Sequence, residues 1–446
     1  MSGEELRHTK MSRRAFLKYT ALAGASMVGG SAVASLAGCA PAAAPTVIPT
    51  PTPGMIKVGG IFSLSGVVGA WGQAGKRGAT LAAEEINANG GILGNRVELI
   101  FEDDEVNAET GVRKARKLVL EDGAEFLIGI NSSGVALAVT PILEELKRIL
   151  VIPCAASPRV TNEAFNKYVF RSHANSYQIG AAGAFLAKEF PAKRWTVIGP
   201  DYAYGWDSWG AFISHLIRLK PDVEVLDVQG WPKLLSGEYE SHITRILDTK
   251  PDAVYSPLWG GDMAAFIKQA SKFDFFDKVL FFTPAGLALD IFYGLQEEVP
   301  DNLYSASHGY WFEDPQTERN KAFVQRFFDR FGEFPHIVAH DAYGSIFLLK
   351  KAIEKAGSTD TDAVIEAMEG LEFETPAYDR RIRKVDHQAV SDVPWGRTEK
   401  TEVLEGLKSH LTDIIQSPGE EIMQSEEDVL AIRGGEEPDY VQYIIK

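Results

Sequence analysis

From Met55 onward, short apolar runs alternate with amphipathic stretches. Ile56-Lys57-Val58-Gly59-Gly60-Ile61-Phe62 reads as a strand, and the spacing after it predicts a helix over 72–87. The same alternation predicts strands over 97–101, 126–130 and 150–153, separated by helices over 108–120 and 135–147. Parallel strands joined by helical crossovers make a doubly wound α/β sheet, with ligand loops at the carboxyl ends of the strands. A second series begins near Ser176. It predicts helices over 176–190, 206–219 and 263–273 and strands over 195–199, 223–228, 253–256, 279–283 and 302–307. Three helices follow, over 316–331, 337–356 and 361–369, the last two parted by the Gly357-Ser358 stop. After Leu371 the chain is charged and turn-rich and ends in polar, strand-like pieces.

Two wound sheets fit the length of 446 residues, and 45% hydrophobic with 24% charged residues is an ordinary globular balance. The 45 basic against 61 acidic side chains give a net charge of −16, which repels phosphate backbones and excludes nucleic acid as a partner. No H-E-x-x-H, G-x-S-x-G or paired Cys/His ligand spacing occurs among the nine histidines, so neither an exported hydrolase nor a metal site is supported. No cofactor motif is present either: Gly75-Lys76 is followed by Arg77, and Ala70 stands where a P-loop needs glycine. His387 is read as a solvent-facing or strand-end residue rather than a catalytic one.

The N-terminus changes the picture most. Ser12-Arg13-Arg14-Ala15-Phe16-Leu17-Lys18 resembles the twin-arginine export signal, and the uncharged stretch from Tyr19 to Leu36 reads as its apolar region. Leu36-Ala37-Gly38-Cys39 resembles a bacterial lipobox, which implies a signal peptide of residues 1–38 and acylation of Cys39. Residues 39–54, rich in Pro, Ala and Thr, then read as a tether. Removing residues 1–38 takes five basic and two acidic side chains with it, leaving 40 against 59 and a charge of −19. With Cys39 modified, only Cys154 remains. No internal disulfide can form, and Cys154 reads as buried.

Specific motifs lie on this frame: Phe62-Ser63-Leu64-Ser65-Gly66, Gly78-Ala79, Glu84 to Gly94, Asp103-Asp104, Ser132-Ser133, Ala155-Ala156-Ser157, Asp201 to Gly205, Ala352 to Ser358, and Asp386-His387-Gln388. In this order they resemble the leucine/isoleucine/valine-binding family of transporter receptors, over nearly all of residues 55–393. The resemblance implies a type I periplasmic-binding-protein fold, two doubly wound lobes joined by three hinge crossovers. These are expected near His173, His308 and Glu372. Lobe 1 would be 55–173 plus 309–372, and lobe 2 would be 174–308 plus 373–446.

The function implied is that of a receptor for an ABC importer, which closes on a small solute and presents it to permease subunits. A sensor that hands its bound state to a signalling partner is the alternative. The implied ligand site holds a carboxylate at Ser132, Ser133, the Ala156 backbone and Ser157, between a strand end and a helix start. Trp71 closes over it from lobe 1, and Tyr202, Tyr204 and Trp259 from lobe 2. One departure bears on the ligand. Where branched-chain-binding relatives present a glutamate to the amino group, this chain has Ala285, leaving Asp262, Asp290 or Asp201 as substitutes or a ligand without that group. The family disulfide is missing as well, with Val106 and Asn131 near its positions.

Overall fold

The computed structural model describes residues 54–285, 287–306, 317–402 and 407–446. The export, lipobox and tether segments, and the crossing expected at His308, lie outside the described residues. The first sheet is built from β1 (Met55–Phe62), β2 (Arg96–Asp103), β3 (Phe126–Gly129), β4 (Ile149–Ile152) and β5 (Val169–Arg171), in the order β2-β1-β3-β4-β5. All its pairings are parallel. The apolar runs of β3 and β4 are buried at every position, because crossover helices cover both faces of such a sheet.

Those helices include α1 (Gly69–Ala88), α2 (Ala108–Leu120) and α3 (Ser133–Val139). Asn107 caps α2 by accepting from the Thr110 N–H at 2.9 Å. The helix expected over 135–147 is broken. Pro141 lacks an N–H and crowds the preceding turn, so α3 stops at Val139, a 3-10 turn takes Thr140–Ile142, and a last helical turn ends at Lys147 with φ 51°.

In the second body α4 (Ser176–Ala187) leads into β6 (Arg194–Val197), α5 (Ala203–Leu219), β7 (Glu224–Val225) and α6 (Glu240–Asp248). It continues with β8 (Ala253–Tyr255), α7 (Gly261–Ser271), β9 (Leu280–Thr283), α8 (Leu289–Leu295) and β10 (Tyr304–Ala306). The next three helices, α9 (Glu318–Phe331), α10 (Ile337–Ala356) and α11 (Thr361–Met368), return to the first body. α10 packs so closely along α1 that a Cβ on Gly78 would stand 2.0 Å from the Ala339 carbonyl oxygen.

A small antiparallel sheet of β11 (Glu372–Glu374), β12 (Asp379–Ile382) and β13 (Ala389–Val390) follows. Only then does the chain join the second sheet through β14 (Val393–Glu399) and β15 (His410–Ser417), before α12 (Glu426–Arg433) near the C-terminus. That sheet runs β15-β14-β10-β9-β8-β6-β7, parallel from β7 to β10 and antiparallel at β14 and β15. This is a mixed-sheet α/β fold of two wound lobes.

The link between the bodies is tied at Arg171 and Gln388. The Arg171 N–H donates to the His387 carbonyl at 2.9 Å, and its guanidinium donates to Gln388 Oε1 at 3.0 Å. Gln388 donates in turn to the His173 carbonyl at 2.5 Å. His387 is not solvent-facing: it is 1% exposed, stacks on Phe170 at 3.9 Å, and donates from Nδ1 to the Val169 carbonyl at 3.0 Å.

Candidate functional site

Loops at the carboxyl ends of the parallel strands converge on one cavity. Asn131 and Ser133 follow β3, Cys154 and Ala156 follow β4, Tyr202 and Tyr204 follow β6, Trp259 follows β8 and Ala285 follows β9. Trp71 from α1 and Asp341 from α10 complete the first body's side. The cavity measures about 490 Å³. Its two walls already stand close together.

Of the sequence-predicted residues, Trp71, Ser133, Ala156, Tyr202, Tyr204 and Trp259 line this one space. Trp71 and Trp259, from opposite bodies, meet edge to face at 5.2 Å, and the Trp259 indole donates to the Tyr202 hydroxyl at 3.1 Å. Burial pushes the hydroxyls of Tyr202 and Tyr204 well above the usual phenol range, so both act as neutral hydrogen-bonding groups. Ser132 and Ser157 stand one layer back. Ser132 is the extended residue before α3, its side chain making no cap bond. The Ser157 N–H donates to the Ser133 hydroxyl at 3.1 Å, and its own hydroxyl donates to Asp207 at 2.5 Å.

That Asp207 carboxylate, on α5, also takes the Arg159 guanidinium at 2.8 and 2.9 Å, so first-body and second-body groups are locked together behind the cavity. Burial raises the Asp207 pKa, with the attraction of Arg159 opposing it. A second cross-link closes the cavity's other side. Asp290 accepts from the Trp71 indole at 3.2 Å and contacts His336 Nε2 at 3.3 Å.

Sequence reasoning missed Asn131, Cys154, His173 and Asp341. Asn131 and Cys154 were findable, since each adjoins a residue already singled out at a strand end. Asp341 was visible only as a lone carboxylate on the apolar face of α10. It is 2% exposed and paired with Arg380 at 2.8 Å. Cys154 is half-buried rather than buried, and desolvation at the cavity wall, with the Asp341 and Asp104 carboxylates adding to it, pushes the thiol up to about 12. Of the three proposed substitutes for a glutamate, Asp201 accepts from the Trp206 indole at 3.0 Å on an exposed turn, and Asp262 is bound to the Leu235 N–H at 2.7 Å. Only Asp290 stands at the cleft. Among the described residues no group of three or more His, Cys, Asp and Glu is placed to hold a metal.

Residues 55–402 match the family model described as periplasmic binding protein. The chain belongs to the periplasmic binding protein family. This periplasmic binding protein is 25% identical over 324 residues to the leucine-, isoleucine-, valine-, threonine- and alanine-binding protein of Pseudomonas aeruginosa, covering 72% of this chain and 84% of that one. Its structure is similar to an ABC transporter substrate-binding protein from Sphaerobacter thermophilus, with TM-score 0.70, 25% identity, and coverage of 82% and 98%. It shares its fold with a solute-binding protein of Rhodopseudomonas palustris BisB5 in complex with 3,4-dihydroxybenzoic acid, with TM-score 0.74, 22% identity, and coverage of 82% and 98%. Membership of the family implies a place outside the cytoplasm. No helix among the described residues is long and apolar enough to cross a membrane.

Proposed function

We propose that this periplasmic binding protein is the receptor of an ABC importer and captures a small carboxylate solute between its lobes by hinge closure. The observation that carries the reading is the convergence of Ser133, Ala156, Trp71, Tyr202, Tyr204 and Trp259, drawn from both bodies, on one cavity. A ligand seated there touches both lobes at once, which is how binding energy shifts a hinge equilibrium. Lobe 1 is proposed as 55–173 plus 309–372 and lobe 2 as 174–308 plus 373–446, with the small three-stranded sheet serving the hinge.

The carboxylate would lie near the Ser133 hydroxyl and the Ala156 backbone, with Ser132 and Ser157 holding that loop in place. The aromatic walls suit a flat apolar body. Ala285 lines the cavity and offers no charge to an amino group, which favours an aromatic acid of the kind named for the Rhodopseudomonas relative. The second reading is an amino acid, favoured by the Asp341 carboxylate on the wall and by the Pseudomonas relative. The relatives are solute-binding proteins, which favours a binding role over an enzymatic one. Twin-arginine export and a lipid anchor on Cys39 would hold the receptor at the membrane, within reach of the permease.

Calorimetric titration with benzoate, 4-hydroxybenzoate, leucine and valine tests the ligand reading. Saturable binding of one class supports it. Turnover of any of these compounds, or binding that survives loss of the cleft aromatics, would contradict it.

A further inference from the structure

The family match ends at residue 402, but the chain runs on to Lys446, and the last part of it touches both lobes. Leaving β15 at the edge of the second sheet, Gly419 donates to Asp392 at 2.8 Å and Glu420 pairs with Arg381 of β12 at 2.7 Å. Gln424 then reaches the first body. Its side chain accepts from Asn162 at 2.8 Å, while its carbonyl accepts from Arg383 at 2.6 Å. From the end of α12, Arg433 donates to the carbonyls of Thr161 at 3.1 Å and Val385 at 3.0 Å and lies over the Phe165 ring at 3.7 Å. Asn162, Thr161 and Phe165 belong to the loop between β4 and β5 that also carries Ser157 and Arg159.

The chain next returns to the second body along α5. The Tyr443 carbonyl accepts from the Trp209 indole and from Gln229, both at 2.9 Å, and the Ile445 carbonyl accepts from the Trp231 indole at 2.7 Å. Tyr440, 1% exposed, covers Gly210, where a Cβ would meet its ring at 2.6 Å. Its ring stands within electrostatic reach of Asp207, Glu163 and Arg159, and its hydroxyl has no hydrogen-bond partner among the described residues. One segment therefore touches the lobe 1 loop that carries Ser157 and Arg159 and the lobe 2 helix α5 that carries Tyr204 and Asp207, the two elements that the Arg159–Asp207 ion pair joins.

We propose that residues 418–446 form an interlobe clasp that positions the Ser157–Arg159 loop against helix α5 and biases the hinge toward closure. The inference rests on the cleft being the solute site. Contacts made by the clasp on both lobes at once act on the hinge as a ligand does, by favouring the form in which all of them are satisfied. Tyr440 and Arg433 are positioning residues: neither lines the cavity.

Full-length protein carrying Arg433→Ala with Tyr440→Ala is compared with the parent and with Tyr440→Phe. Two readouts are taken. Small-angle scattering of ligand-free protein is expected to give a larger radius of gyration for the double variant, and titration with 4-hydroxybenzoate or leucine about tenfold weaker binding. Tyr440→Phe, which keeps the packing and removes an unbonded hydroxyl, is expected to match the parent in both. Unchanged scattering in a cooperatively folding double variant would overturn the clasp. If neither compound binds the parent, the ligand reading fails while scattering still decides the clasp. If the double variant fails to fold, Gln424→Ala, which removes only the Asn162 bond, carries the same comparison, and an unchanged radius again overturns it.

Discussion

The indole N–H of Trp71 donates to the carboxylate of Asp290 across the cleft at 3.2 Å, tying α1 of the first lobe to α8 of the second. The same carboxylate contacts His336 at the start of α10, and the Trp71 ring packs edge to face on both His336 at 4.9 Å and Trp259 at 5.2 Å. The contacts of Asp290 and Trp259 with Trp71 and His336 cross from one lobe to the other, whereas Trp71 and His336 belong to the same lobe. Asp290→Ala is expected to weaken solute binding about three- to tenfold while leaving the melting temperature of ligand-free protein within about 2 °C, because the cost falls on closure and not on either core. Calorimetric titration beside a melting curve checks this. Equal affinity would remove Asp290 from the closure mechanism.

Behind the cavity, Asp207 is fully buried and depends on Arg159 and Ser157. Removing Arg159 leaves a buried carboxylate without its counter-charge. Arg159→Ala should cost about 3 kcal/mol, and adding Asp207→Ala should recover part of that loss, since the unpaired charge goes with it. Denaturant unfolding of the parent, the two single variants and the double variant measures the coupling. Strict additivity would contradict the account.

Cys154 borders the cavity, yet its thiol is pushed up to about 12, chiefly by desolvation. Thiolate is the reactive form, so with Cys39 replaced by serine the native protein should react with maleimide at pH 7.5 roughly a thousandfold more slowly than a free cysteine. The same sample in denaturant should react at the ordinary rate. Fast labelling of folded protein would show that the thiol lies outside the environment described.

His387 is held neutral at the hinge, its pKa lowered by burial against the Phe170 ring. The folded state therefore takes up a proton less readily than the unfolded chain. The stability this contributes is fully present above the unfolded value of about 6.5 and is lost as pH falls through the folded value. His215, lowered to about 4 by burial, acts in the same direction, so the informative quantity is a difference. His387→Asn tolerates the φ of 52° and should fall less in melting temperature than the parent between pH 7.5 and 5. Parallel slopes would remove His387 from the acid response.

Much of this fold was legible because buried parallel strands and amphipathic helices leave different spacings. β1, β3, α1, α2 and α10 stand within a few residues of where periodicity puts them. The three-residue strands β8 and β10 were also read, but β5 escaped. β5 is three residues of Val-Phe-Arg whose strand state comes from pairing with β4 rather than from its own pattern. The helix break at Pro141 was a local signal passed over in favour of the apolar run around it. In the site, residues at strand ends could be read from the sequence, whereas Asp341, Asp290 and Asp207 acquire their places only when α10, α8 and α5 pack against loops far away in sequence. The clasp was least legible of all, because its polar, turn-rich segment carries little periodicity and its meaning lies in which two bodies it touches.

The central claim is that a small solute binds between the lobes on the aromatic and hydroxyl residues of the cleft. A thermal-shift series of the parent beside a Trp71→Ala/Tyr204→Ala variant, across aromatic carboxylates, branched-chain amino acids and amides, tests it directly. A solute that binds only the native state adds about 2.7 kcal/mol of stability at a hundred times its Kd. The account predicts that one chemical class raises the melting temperature of the parent by several degrees and leaves the variant unmoved. An equal rise in both proteins, or none in either across the whole series, would contradict it.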